Sequence, residues 1–213
     1  MGRQVKRAVI FCWSESDRKP FDITEDDYII CADSGFKYAE RLGIKPDLLL
    51  GDFDSMELPA FSGEVCRLPV EKDDTDTMLA LKKGLSLGYR SFRIFGGTGG
   101  RLDHTLANLQ SLLYLAERDA VGWLYDKNFV YSAIKNETVT LKGKKDAVFS
   151  VFAMNGPARG VSIRGAKYCV ENAELRPDFP LGVSNHFLDG EVQIAVKDGV
   201  LIIGAEMKEE NEE

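Results

Sequence analysis

The segment Ile94-Phe-Gly-Gly-Thr-Gly-Gly-Arg-Leu-Asp-His-Thr-Leu-Ala-Asn-Leu109 decides how this chain is read. Four glycines crowd the exit of a short apolar strand, and Arg101, Asp103 and His104 follow at once. Leu106, Leu109, Leu112, Leu113 and Ala116 then recur on one helical stripe. Strand, glycine turn and helix start together make a place to hold an anion. Glycine lets the backbone approach closely with positive φ, and the free N–H groups of a first helical turn point outward at a ligand. The spelling matches neither common nucleotide fingerprint. No Lys-Ser/Thr follows the last glycine, and the spacing is not G-x-G-x-x-G. A phosphate-binding loop of another lineage and a tight turn with a helix-capping Asp103 both fit these residue types.

Working outward, strand and helix alternate through the first 126 residues. Arg7–Cys12, Tyr28–Ala32, Leu48–Leu50, Val65–Leu68, Phe92–Phe95 and Val121–Tyr125 read as strands. Helical patterns follow Asp33-Ser-Gly35, open at Lys72–Asp76, and run on from Arg101. This is the signature of an open, mostly parallel α/β sheet. Beyond Asp126 no helical period is found. Short alternating runs at Glu137–Leu141, Ala147–Phe152, Gly160–Ile163, Lys167–Val170, Glu191–Val196 and Val200–Ile203 predict a small antiparallel β-sandwich. Asp198-Gly199 between the last two runs reads as a hairpin turn. The expected organisation is an α/β domain over 1–126, a sandwich domain over 127–206, and a disordered acidic tail over 207–213.

Composition narrows the function. Hydrophobic residues make up 44% of the 213, enough for a substantial core. Residues 206–213 supply −4 of the net −7, and no basic stripe suits nucleic acid. Cys12, Cys31, Cys66 and Cys169 are far apart and form no C-x-x-C, which points to reduced thiols rather than a disulfide or zinc framework. No signal peptide, myristoylation motif or membrane-spanning run is found, so a soluble cytoplasmic protein is expected.

In open α/β sheets, ligands bind beyond the carboxyl ends of the strands. Asp33-Ser-Gly35, Asp52-Phe-Asp-Ser55, Lys72–Asp76 and Gly96–His104 all fall at such exits, and so they are expected to converge. Carboxylates alone would repel a phosphate, a conflict that Mg²⁺ resolves by taking both kinds of oxygen into one octahedron. Asp52 and Asp54 stand at i, i+2, which on an extended backbone aims both to one side with Cα atoms about 7 Å apart. Asp73 and Asp76 share a face at i, i+3, although Asp73 or Thr75 can equally serve as a helix cap. His104 and His186 lie one in each half, which is unfavourable for zinc, and no Ser or Cys has a nucleophile-elbow setting. The residues by themselves thus reach a Mg²⁺-dependent enzyme acting on a nucleotide or phosphate.

Four segments carry a more specific resemblance: Gly51-Asp-Phe-Asp-Ser55, Lys72-Asp-Asp-Thr-Asp-Thr77, Gly96–Asn108, and Leu181-Gly-Val-Ser-Asn185. In this order and spacing, the chain resembles the bacterial thiamine pyrophosphokinases over nearly its whole length. The resemblance implies an α/β catalytic domain followed by a thiamine-binding β-sandwich. It implies transfer of the pyrophosphoryl group of ATP to the hydroxyl of thiamine, giving thiamine diphosphate and AMP. Carried over residue by residue, it implies that Asp52, Asp54 and Asp76 hold Mg²⁺, with Asp103 also in the catalytic set. Asp33, Lys72, Asp73, Thr75, Gly97, Thr98, Gly99, Gly100 and Arg101 would contact the nucleotide. Ser184 and Asn185 match the thiamine-side motif, which in the family comes from the partner subunit, so a homodimer with composite sites is implied. Some members place a stacking aromatic beside that motif; here His186-Phe187 follows it.

Overall fold

The computed structural model describes residues 6–14, 23–53, 61–69, 71 and 73–207. The chain divides into two compact units, one of residues 1–111 with 122–127 and the other of residues 112–121 with 128–213. The first contains β1 (Ala8–Phe11), β2 (Tyr28–Ala32), α1 (Gly35–Arg41), β3 (Leu48–Gly51), β4 (Glu64–Arg67), α2 (Asp76–Ser86), β5 (Ser91–Phe95) and most of β6 (Val121–Tyr125). Helix α3 (Leu102–Ala116) begins in it.

The strands of this unit run in the order β6-β5-β1-β2-β3-β4. The β5–β1, β1–β2, β2–β3 and β3–β4 pairings are all parallel, with Ile10 level with both Ile30 and Ile94. A strand covered on both faces has to be apolar throughout, and β1 and β3 are buried at every position. β4 lies at the sheet margin and is exposed at Glu64, Val65 and Arg67. One side of the sheet packs Phe11, Leu49 and Phe95 against Phe36, Tyr38 and Ala39 from α1. There Phe11 meets Tyr38 edge-on at 5.4 Å and stacks on Phe95 at 5.8 Å. Because β1 has β2 on one side and β5 on the other, the chain reverses its direction of winding there. Loops leaving β1 and β5 therefore part from each other and open a crevice.

The opposite rim, where the strands begin, is fastened by charge. Arg7, just before β1, donates from both Nε and Nη2 to the two carboxylate oxygens of Asp27, just before β2. The Thr24 N–H also donates to Asp27 at 2.8 Å. Burial would raise the Asp27 carboxyl, but these donors outweigh it and hold the group below its ordinary value.

The second unit holds two antiparallel sheets. One has the order β11 (Val170–Leu175), β10 (Ala158–Arg164), β13 (Glu191–Ala195), β8 (Thr138–Lys142). The other runs β12 (Asn185–His186), β9 (Val148–Ala153), β14 (Val200–Glu206), β7 (Phe129–Lys135). Alternate residues of both sheets build one core, with Val151 and Leu201 from one and Val161 and Ile194 from the other. The α/β-plus-β-sandwich class expected from the sequence is therefore present.

Three local readings need correcting. Asp198-Gly199 is not a hairpin turn, because β13 pairs with β10 and β8 while β14 pairs with β7 and β9. The turn instead carries the chain from one sheet to the other. It is held by Arg159 N–H donating to Asp198 O at 2.7 Å and by Gly199 N–H donating to Asn136 Oδ1 at 2.8 Å. Strand β7 was not expected, since Phe-Val-Tyr-Ser-Ala-Ile-Lys does not alternate cleanly between apolar and polar residues. The run expected at Lys167–Val170 lies instead at Val170–Leu175, a largely exposed strand at the sheet margin whose pattern carries little signal.

The Arg7–Asp27 pair makes a pH-dependent stability prediction. Asp27→Asn removes the buried carboxylate that the half-buried Arg7 guanidinium pairs with and should cost about 1–3 kcal/mol at neutral pH. That is a fall of several degrees in Tm for a chain of this size. A carboxyl lowered on folding stabilises above its unfolded value near ~3.9 and ceases to as pH falls through its folded one. Thermal melts should show the deficit between wild type and variant closing as pH is taken from 7 to below about 3.

Candidate active site

In the first unit, the exits of β1, β2, β3 and β5 and the start of α2 meet around one cavity of about 520 Å³. Cys12 and Trp13 enter it from β1, Asp33 and Ser34 from β2, and Asp52 from β3. Asp74, Thr75 and Asp76 come from the start of α2, and Gly97, Thr98, Gly100 and Arg101 from the loop after β5. The volume lies within the range of small-ligand sites, roughly 300–1,000 Å³.

The glycine loop is tied down at three points. Gly96 (φ 75°) runs so close to the chain leaving β1 that a Cβ would stand 2.7 Å from the carbonyl oxygens of Cys12 and Trp13. Gly97 (φ 80°) donates its N–H to the Trp13 carbonyl at 3.0 Å and accepts from the Asn108 amide at 2.7 Å. Asn108 is only 4% exposed and projects from α3 into the space a Cβ on Gly97 would need. The Thr98 hydroxyl donates to Asp126 Oδ1 at 2.7 Å. Neither a bulkier residue nor a free loop would keep these backbone groups in place, so the loop is set before a ligand arrives.

Helix α3 starts immediately after Arg101. Asp103 lies within its first turn and does not cap it in the N-cap position. It takes the Arg101 side chain in a two-point ion pair, with Nη2 to Oδ2 at 2.6 Å and Nε to Oδ1 at 3.1 Å. The hydrogen bonds from Arg101 hold the exposed Asp103 carboxyl below its ordinary value. Asp103 and Gly99 are exposed and do not line the cavity, whereas Arg101 and His104 do.

The carboxylates gather from separate elements. Asp33 takes a left-handed backbone (φ 44°), and its Oδ1 is buried with no hydrogen-bond donor among the described residues. Thr75 caps α2, accepting from Met78 N–H at 3.2 Å, and so places Asp76 in the first turn. Asp74 also faces the cavity and is held by Lys82 at 2.6 Å; Asp73 is exposed and does not line it. Between Asp52 and Asp54 the backbone is not extended at Phe53. Phe53 is left-handed (φ 56°) with its ring in the core. Asp54 and Lys72 lie outside the described residues.

Hard oxygen donors with an orphaned carboxylate oxygen suit a divalent cation in kind. Among the described residues, though, no three His, Cys, Asp or Glu groups are close enough together to hold a metal ion. Cys12 offers no nucleophile. Its sulfur lies 3.2 Å from Thr77 Oγ1, and burial pushes the thiol up to about 11, so it is neutral.

In the second unit, Asn185 is buried and spends its amide on backbone. It accepts from Tyr168 N–H and His186 N–H and donates to Tyr168 O at 2.7 Å. Ser184 is exposed in a left-handed conformation (φ 59°). Phe187 is 1% exposed and packs edge-on against Phe149, so it is a core residue and offers no stacking face. Sequence reasoning gave no role to Trp13, Asn108 or Asp126. Asn108 had left a trace, as the last residue of the Gly96–Asn108 segment and a polar residue one turn before Leu112 on the apolar stripe of α3. Among the described residues no helix is long and apolar enough to cross a membrane.

The model of the "Thiamin pyrophosphokinase, catalytic domain" matches residues 23–122, and that of the "Thiamin pyrophosphokinase, vitamin B1 binding domain" matches residues 136–201. The thiamine pyrophosphokinase of Bacillus subtilis (strain 168) is 28% identical over 168 residues, covering 76% of this chain and 78% of that one. Among solved structures, thiamin pyrophosphokinase from Geobacillus thermodenitrificans superposes with a TM-score of 0.81 at 25% identity, over 97% of this chain and 99% of that one. At 14% identity the Candida albicans enzyme still reaches 0.77, over 96% and 90% of the two chains, a likeness of fold alone. With both domain models matched in order along most of its length, this chain belongs to the thiamin pyrophosphokinase family and is an enzyme of the pyrophosphoryl-transferase class.

Proposed function

We propose that the cavity at the strand ends of the first unit binds ATP, and that the chain transfers its pyrophosphoryl group to the hydroxyl of thiamine. The supporting observation is the convergence of four polar strand exits on one cavity beside a glycine loop tied in place by Asn108, Trp13 and Asp126. The thiamine hydroxyl oxygen forms a bond to the β-phosphorus and loses its proton. The bridge between the α- and β-phosphates breaks, and AMP leaves with the bridging oxygen. No covalent enzyme intermediate is required, so positioning and charge neutralisation carry the catalysis.

In this reading residues 1–126 are the catalytic half and 127–206 the thiamine-binding half. Gly97 to Arg101 place the triphosphate through backbone N–H groups and the Arg101 guanidinium, which Asp103 orients. Asp33 and Thr75, which line the cavity, complete the nucleotide side, and Lys72 and Asp73, the latter outside the lining, would join them once the nucleotide is bound. Asp52, Asp54 and Asp76 are the residues that would hold Mg²⁺. The ion supplies positive charge that lets phosphate oxygens lie beside carboxylates. Ser184 contacts thiamine, and Asn185, with its amide committed to the 167–169 turn, shapes the surface that Ser184 presents. The sites are composite in a homodimer, and the enzyme works in the cytoplasm.

The direct test is AMP production from ATP and Mg²⁺ with and without thiamine. We expect AMP and thiamine diphosphate in equal amounts, and little turnover when thiamine is omitted. Phosphate release that ignores thiamine would instead mean a phosphohydrolase. Asp54→Ala should lower kcat by at least about 100-fold, the scale for losing one group that stabilises transition-state charge. Thiamine binding by calorimetry should survive in that variant. Sedimentation should give a dimer, and mixing Asp54→Ala with Ser184→Ala chains should recover part of the activity that each has lost. A monomer with full turnover would exclude composite sites.

A further inference from the structure

We propose that the indole of Trp13 is the stacking platform for the purine ring of the nucleotide, which makes Trp13 a specificity-determining residue. The proposal rests on the glycine loop being the phosphate cradle. Trp13 follows the fully buried β1, yet it is 45% exposed and lines the cavity. What sets Trp13 apart from the other exposed aromatics is that its open ring borders the cavity, where a flat ring can lie on it.

Two contacts fix the ring relative to the loop. The Trp13 carbonyl accepts from Gly97 N–H at 3.0 Å, which locks the backbone. The ring rests against Gly100, where a Cβ would stand 2.7 Å from Cζ3 and 3.5 Å from Cη2. The lack of a side chain at Gly100 is therefore what lets the indole lie on the loop.

The chemistry of the surroundings selects the ligand class. Asp33, Ser34, Thr98, Arg101 and His104 supply charge and hydrogen bonds, while Trp13 presents an extended uncharged π surface. Such a surface recognises a flat heteroaromatic ring by stacking, and larger bases overlap it better. A nucleoside triphosphate whose phosphates lie on Gly97–Arg101 is tethered to the loop that Trp13 touches. Its base is kept within one ribose of the α-phosphate and so inside reach of the indole, whereas of thiamine only the hydroxyl end has to come to the loop.

The experiment compares Trp13→Phe, Trp13→Leu and Trp13→Ala in the full chain, after melts have established that each is folded. Trp13→Ala should raise the KM for ATP by about ten-fold, the scale of one lost base–aromatic stack, with the loss falling on KM and little on kcat. Trp13→Phe should recover most of the affinity, and Trp13→Leu, similar in bulk but without a π face, should not. Inhibition by inorganic tripolyphosphate, which has no base, should be unchanged, and the preference for ATP over UTP should shrink. Equal losses for tripolyphosphate and ATP would show that the ring only props the loop. A rise confined to the KM for thiamine would move the stack to the acceptor. Either result overturns the proposal, as does unaltered ATP affinity in Trp13→Ala. Calorimetric ATP binding without thiamine reads Trp13 separately, so an enzyme that binds ATP but makes no thiamine diphosphate would refute the transfer reading and leave this one standing.

Discussion

The hydrogen bond from Gly97 N–H to the Trp13 carbonyl fastens the loop after β5 to the chain leaving β1. Those two strands are neighbours in the sheet, but the winding reverses between them, so their loops would otherwise separate. Holding them at one point while they diverge elsewhere leaves a cavity with a fixed floor. Asn108 and Asp126 add their tethers from two further elements, α3 and the end of β6. A glycine-rich segment in water samples many conformations, and ordering it costs roughly 1–2 kcal/mol per residue. Here folding of the first unit meets that cost, and ligand binding does not have to.

The same economy governs the carboxylates. Asp27 and Asp103 are each neutralised by an arginine, and Asp74 by Lys82. Asp33 keeps a buried oxygen that no donor among the described residues reaches. A buried carboxylate oxygen left this way is costly, and it persists where a ligand or ion completes its surroundings. The neutral thiol of Cys12 adds no negative charge at the floor of the cavity. These electrostatics suit the proposed placement and neutralisation of phosphate, and the one cysteine in the described lining is not ionised to attack it.

Most of the first unit was legible because parallel strands must be apolar on both faces, and runs such as Leu48–Leu50 cannot be much else. The glycine loop was legible for a related reason: Gly96 and Gly97 sit where no side chain fits. What the sequence hid was long-range. Asp198-Gly199 has the composition of a hairpin turn, and only the pairing of β13 and β14 in different sheets shows that it is a corner. The left-handed backbone of Phe53 carried no local signal, and its ring belongs to a core that forms only when distant elements meet. Asn185 stood out by its motif, and its backbone partners at Tyr168 and His186 are found only once β12 is in place. Trp13 carried no motif, and its importance comes from lying against Gly100, 87 positions away in the chain.

The Arg7–Asp27 clamp lies on the rim where the strands start, and the cavity on the rim where they finish. This polarity gives the protein two independently adjustable ends. A change in how firmly the strand starts are clamped therefore reaches the melting behaviour of the sheet without touching a residue that lines the cavity.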